Sequence, residues 1–354
     1  MRRKKSSWKP EAIIPSLGLG IWSDLKTMAW MTAPMSSFKM LLIPVVLWTN
    51  WHFLAPHIPN PFAPLLFVSY PIADSDPGSP RFAKGPLDIL FVAYYVIVWS
   101  FVRQFLTLHI LHPLAIRFGV RKSDKVVRFG EQGYAYVMSQ LPTWWFRTEH
   151  FWIDYPHWRM MPLLKRYYLM QFAYWLQQLL VLALRLEKPR KDFTELVIHH
   201  FVAIWLVFWS YTINLTYIGN AVFLTMDVSD VVFSFAKVCK YLEWETTAAV
   251  AFSAFVCVWT YLRHFLNIKI IWSVWTQWKY APEYSKRFEP KEGVWMARWV
   301  QYQVMVPMII LQLVNIFWYY LILRVLRRAL FGPRLEDDRS DDEDEGPDVH
   351  GKDE

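Results

Sequence analysis

Apolar stretches about as long as a bilayer is thick recur along this chain, with short polar or basic segments between them. A helix rises about 1.5 Å per residue, so roughly 20 apolar residues cross a hydrocarbon core about 30 Å thick. Segments that fit this length with few charges are residues 39–58, 87–111, 125–148, 161–185, 193–211, 216–241, 246–268 and 299–326. The third is interrupted by Glu131, Gln132 and Gly133 and reads equally as an amphipathic helix on the membrane surface. The pattern therefore predicts an all-α polytopic membrane protein with seven or eight transmembrane helices. Composition agrees: of 354 residues, 55% are hydrophobic and 18% aromatic, with 21 tryptophans, which excludes an ordinary soluble globule.

The polar segments set the expected topology. Arg2, Arg3, Lys4, Lys5 and Lys9 precede the first span, whose apolar run lacks a cleavage pattern, so it is expected to serve as an uncleaved signal. Further basic clusters lie at Arg117 to Arg128, Arg185 to Lys191 and Arg324 to Arg334, all on one side if eight spans are present. That side is expected to be the cytosol, with both termini in it. The loop from Lys269 to Arg298 disagrees, although its Lys279, Lys286, Arg287 and Lys291 are mixed with Glu283, Glu289 and Glu292. The Pro- and Asp-rich stretch 56–86 reads as a turn-rich lumenal loop. Beyond Glu336 the chain is a block of acidic residues, expected to be a disordered cytosolic tail in which Ser340 suits an acidophilic kinase. Asn214-Leu215-Thr216 is a glycosylation sequon too close to its spans for modification. Cys239 and Cys257 read as small hydrophobes rather than a disulfide.

Candidate chemistry concentrates in two neighbouring spans. His199 and His200 stand inside the apolar run Leu196 to Tyr211, about two turns from its basic end, where polar side chains are costly and point to function. In the next span Asp227, Asp230, Ser234 and Lys237 recur at three- and four-residue spacing and share one helical face. A short loop makes the two helices antiparallel neighbours, so these polar faces are able to converge. Asp192 and Glu195, three apart at a helix start, read as an N-cap with its capping-box partner. Packing alternatives stand beside each reading: a histidine pair also bridges helices through hydrogen bonds, and single basic residues at the mouth also follow from the positive-inside rule.

In order and spacing, Glu187 to Phe193, His199-His200, Ser210-Tyr211, Met226-Asp227-Val228-Ser229-Asp230, Lys237 and Tyr241-Leu242 resemble the Lag motif of the ceramide synthases, within a TLC domain over residues 125–330. The motif spans 187–242; residues 1–38 form a basic N-terminus, 39–124 carry the first two spans with their loop, and 331–354 form the acidic tail. Animal members usually have His before the first Asp of the second element, where this chain has Met226.

The resemblance implies a TLC-type helical bundle and N-acylation of a sphingoid base by a long- or very-long-chain fatty acyl-CoA, giving ceramide and CoA. The acyl-CoA is a co-substrate, and no cofactor or metal is implied. By that resemblance His199 is the acyl acceptor, His200 the acid/base or orienting partner, and Asp227 and Asp230 orient the imidazoles or bind the substrate ammonium. Arg185, Lys188, Arg190, Lys191, Lys237 and Lys240 would attract the CoA phosphates, with Ser234 beside them. Also implied are residence in the endoplasmic reticulum membrane, a homo- or heterodimer and a small single-span accessory subunit; no nucleic-acid partner is expected. Two rivals are a di-iron hydroxylase, to which His109 and His112 would contribute, and a non-catalytic TLC lipid-binding or translocation-accessory protein.

Overall fold

The structure, a computed structural model, describes residues 20–76, 78–106, 108–109, 147–153, 155–186, 192–242 and 244–331. Two helices, α1 (Ile21–Lys26) and α2 (Pro34–Leu54), are followed by a single turn, α3 (Ala63–Leu66), and by α4 (Asp88–Leu106). After a 3-10 turn at Thr148–Phe151 come α5 (Pro162–Ala183), α6 (Phe193–Thr212) and α7 (Thr216–Tyr241). Next, α8 (Glu245–Trp259) runs through a π-helical segment, Thr260–Leu266, into α9 (Asn267–Thr276), and α10 (Arg298–Phe331) closes the bundle. Among the described residues β structure is limited to isolated bridges.

The apolar periods place these helices to within a few residues, with two differences. Pro34 takes the first turn of α2, where its missing N–H costs nothing, and starts that helix ahead of Lys39. The expected segment 246–268 continues to Thr276, because the π segment carries the backbone through instead of ending it. The segment 125–148 lies outside the described residues except for Arg147 and Thr148, which lead into the 3-10 turn. Among the described residues four stretches, Asp88–Leu106, Phe193–Thr212, Glu245–Thr276 and Arg298–Arg328, are long and apolar enough to cross a membrane.

The helices are amphipathic in the sense opposite to a soluble bundle. On α6, Ile198, Phe201, Trp205 and Phe208 face outward while His199 and His200 are buried; on α7, Val228, Val231 and Phe235 face outward while Thr225, Asp227 and Ser229 are buried. Lipid explains this: apolar side chains gain nothing by leaving it, whereas each polar group needs a partner inside. Within the bundle α6 packs on α5, α7 and α10, and α7 packs on α8 and α9.

One end of the bundle is closed by a polar floor. Lys165 at the start of α5, fully buried, pairs with Asp88 at 2.8 Å and donates to the carbonyls of Ser69 (2.8 Å) and Ala83 (2.6 Å). Asp88 also accepts from the Tyr211 hydroxyl at 2.8 Å, and Lys84 donates to Tyr211 O (2.7 Å) and Asn214 Oδ1 (2.8 Å). Asn214 is buried and donates to Gly293 O at 3.1 Å, so its amide is closed to glycosylation. The basic residues that break the topology rule are partly neutralised: Lys286 pairs with Glu283 at 2.5 Å, and Arg287 with Glu292 at 2.5 Å and Glu289 at 3.6 Å.

Candidate active site

Toward the opposite end, α6 presents His199 and His200 to the interior, both buried. Their rings are nearly perpendicular, with centroids 5.7 Å apart. Trp175 of α5 stands edge-on to both, at 5.4 Å from His199 and 5.5 Å from His200, and Trp318 of α10 lies 5.1 Å from His199. Nδ1 of His200 lies 2.7 Å from the carbonyl of Leu196. A carbonyl only accepts, so that nitrogen carries a proton and the neutral ring keeps its lone pair on Nε2.

Asp192 does not cap α6. Its backbone has φ −97° and ψ 32°, outside the extended region an N-cap needs, and its side chain makes no capping bond. Instead Oδ2 accepts from the Trp318 indole at 3.1 Å, so the carboxylate fixes the ring that walls His199. With no N-cap bond from Asp192, its pairing with Glu195 as a capping box fails too.

The carboxylates of α7 meet different partners. Asp227, buried, accepts from Gln171 of α5 at 3.2 Å. Asp230 pairs with Arg263 at 2.7 Å. Arg263 is buried in the π segment, and also donates to Ser229 Oγ (2.6 Å), Met226 O (2.8 Å) and Asn315 Oδ1 (3.3 Å), with its guanidinium 4.0 Å over the Trp259 ring. The extra residue per turn of a π segment fits this site, where one side chain must be turned inward without breaking the helix. Met226 supplies that carbonyl and takes an amide contact from Asn315 on its sulfur at 3.7 Å.

The remaining residues singled out in the sequence disperse. Ser234 bonds to the carbonyl of Asp230 on its own helix at 2.8 Å. Lys237 lies 4.3 Å over the Phe233 ring, and Lys240 pairs with Glu245 at 3.3 Å. Arg185 is exposed just past α5, at φ 50°. Lys188, Arg190, Lys191, His112 and Ser340 lie outside the described residues. Arg263, Trp175 and Trp318 were not anticipated; an arginine inside an apolar run was the available signal, because intramembrane charge is expensive.

A narrow pocket runs from His199 into the bundle, lined by Ala203 and Val207 of α6, Val222 and Met226 of α7, and Met308 of α10. Its wall is apolar, as a site for a hydrocarbon chain requires.

The TLC-domain family matches residues 133–324. Sphingosine N-acyltransferase lac1 of Schizosaccharomyces pombe is 38% identical over 326 residues, covering 88% of this chain and 83% of that protein. The chain belongs to the ceramide synthase family. Ceramide synthase LAG1 of Saccharomyces cerevisiae is 37% identical over 300 residues, 81% of this chain and 71% of its own length. Ceramide synthase 4 of Bos taurus is 31% identical over 204 residues, 57% and 48%. By this membership the protein is an acyltransferase, and its buried histidines lie in the TLC region.

Proposed function

We propose that this protein joins a sphingoid base, dihydrosphingosine or phytosphingosine, to the acyl group of a long- or very-long-chain fatty acyl-CoA, releasing CoA and forming ceramide. The observation that carries this reading is the position of His199, which borders both the aromatic pair Trp175 and Trp318 and the apolar cavity. An imidazole nitrogen of His199 attacks the thioester carbonyl, the C–S bond breaks, and the CoA thiolate takes up a proton. The sphingoid amine then attacks the acyl-imidazole, the acyl C–N bond to histidine breaks, and the amine proton passes to a neighbouring base. His200, with its lone pair on Nε2, is suited to that proton transfer. Asp227 and Asp230 orient this end of the bundle, and the basic residues Arg185, Lys188, Arg190, Lys191, Lys237 and Lys240 draw the CoA phosphates to its mouth.

Eight spans, which leave both termini in the cytosol, in the endoplasmic reticulum membrane complete the reading; the basic clusters support it. A tag at either terminus is then digested by protease added to sealed microsomes, and protection of one terminus requires an odd count.

The chemistry is tested by mass. Acyl-CoA alone should release one CoA per site and add one acyl mass to the peptide carrying His199, and sphingoid base should then discharge it as ceramide. An unmodified mass in an active preparation overturns the covalent route and leaves His199 as a base for direct attack. Ceramide formation absent under all conditions overturns the reading itself.

A further inference from the structure

The far end of the cavity is built differently from its walls. Along α6 the lining runs from His199 through Ala203 and Val207 to Ser210, and it ends at Gly219 in the first turn of α7 and at Leu215 just before that helix. There the Ser210 hydroxyl hydrogen-bonds the phenol of Tyr168, a fully buried side chain of α5. A Cβ on Gly219 would lie 1.9 Å from the Tyr168 oxygen and 2.9 Å from Ser210 Oγ, so the phenol occupies the space that glycine leaves. Behind it, Tyr168 stacks on Tyr211 with ring centroids 5.8 Å apart, and Tyr211 holds Asp88 of the polar floor. A hydrocarbon chain advancing past Tyr168 would have to part buried, charged and hydrogen-bonded groups from their partners, which is costly.

We propose that the Tyr168–Ser210 hydrogen bond, laid over the bare α-carbon of Gly219, is the end stop of the acyl cavity and sets the longest chain accepted. The inference rests on the acyl-transfer reading above. From His199 to Ser210 the axis of α6 advances about 16 Å at about 1.5 Å per residue. That is close to half of a hydrocarbon core about 30 Å thick, the depth filled by the acyl tails of one leaflet. An extended hexacosanoyl group overruns that distance by far more than a palmitoyl group does.

The test is the ratio of rates across octanoyl-, palmitoyl-, stearoyl- and hexacosanoyl-CoA, measured with the full-length protein and dihydrosphingosine. The unmodified protein should use palmitoyl-CoA at least about tenfold better than hexacosanoyl-CoA, since a pocket that excludes surplus methylenes discriminates on that scale. Gly219→Ala adds a methyl at the stop and should lower the stearoyl-to-octanoyl ratio by about tenfold. Tyr168→Phe and Ser210→Ala each remove the hydrogen bond and should move the hexacosanoyl-to-palmitoyl ratio the opposite way. These two keep the question open to test if Gly219→Ala does not fold. A single common factor across all chain lengths in the variants overturns the stop, as does equal use of palmitoyl- and hexacosanoyl-CoA by the unmodified protein. No product from any acyl-CoA in the unmodified protein overturns acyl transfer itself, a result distinct from either.

Discussion

The two ends of the bundle bury polar groups by contrasting means. At the floor, the Lys165 ammonium meets a carboxylate and two carbonyls, Lys84 meets two oxygens, and Asp88 is shared between Lys165 and Tyr211. At the histidine end, the imidazoles are walled by the indoles of Trp175 and Trp318 beside an apolar cavity. A densely bonded group is held in place and unavailable for new bonds. A ring clamped by other rings keeps its orientation without being locked into a charged network. The comparison teaches that burial assigns no role here; the kind of neighbour does.

The contrast breaks most sharply by removing the imidazoles. His199→Ala and His200→Ala should each lower ceramide formation by about a thousandfold or more, within the range for a lost acid/base or nucleophile. Thermal unfolding in detergent should change little by comparison. Equal losses of stability and activity would make the pair a packing element. Asp88→Ala should do the reverse at the floor, destabilising the fold by about 3–5 kcal/mol because it strands the fully buried Lys165. Denaturation monitored by tryptophan fluorescence reads that loss, and an unchanged midpoint would mean that water reaches Lys165.

The histidine end was legible in the sequence, because two imidazoles in an apolar run violate the local pattern wherever they are met. Helix positions were legible for the same reason, since apolar length alone dictates them. The floor was not: Asp88 and Lys165 lie far apart in the chain, and only packing of α4 on α5 unites them. Asp192 was misread for a related reason. Its spacing from Glu195 satisfies the capping pattern, but a tertiary partner, Trp318, takes the carboxylate. Arg263 falls between these cases, visible as a charge inside a span but unassignable until the π segment turns it onto Asp230.

That pair sharpens the comparison, because it brings a floor-like, bonded charge close to the candidate site. If Arg263 positions Asp230 and the α7 backbone at Met226, Arg263→Met and Asp230→Asn should each lower kcat by about tenfold to a hundredfold. The double variant should be little worse than either, since groups acting as one unit are not additive. Ser234→Ala should change kcat far less, its hydroxyl being spent on a carbonyl of its own helix. Additive losses in the double variant would mean that the two residues act separately, and a change confined to KM would move the pair to substrate binding.

The smallest effect belongs to Lys84, in the loop that covers the floor. Burial of its ammonium, reinforced by Lys165 nearby and opposed by Asp88, lowers its pKa from 10.5 to about 7, although part of the residue remains accessible. The unfolded chain therefore binds more protons at this site than the folded one between about pH 7 and 10.5. Stability must rise with pH across that window, and below pH 7 the full cost of burying the charge is present. Lys84→Met removes the titration, so the unfolding temperature of the variant should rise less steeply between pH 7 and 10 than that of the unmodified protein. Other groups titrate in the same range, but they are common to both proteins, so the difference in slope isolates Lys84. Parallel curves would show that its ammonium is solvated, and would leave Lys165 as the buried cation on which the floor depends.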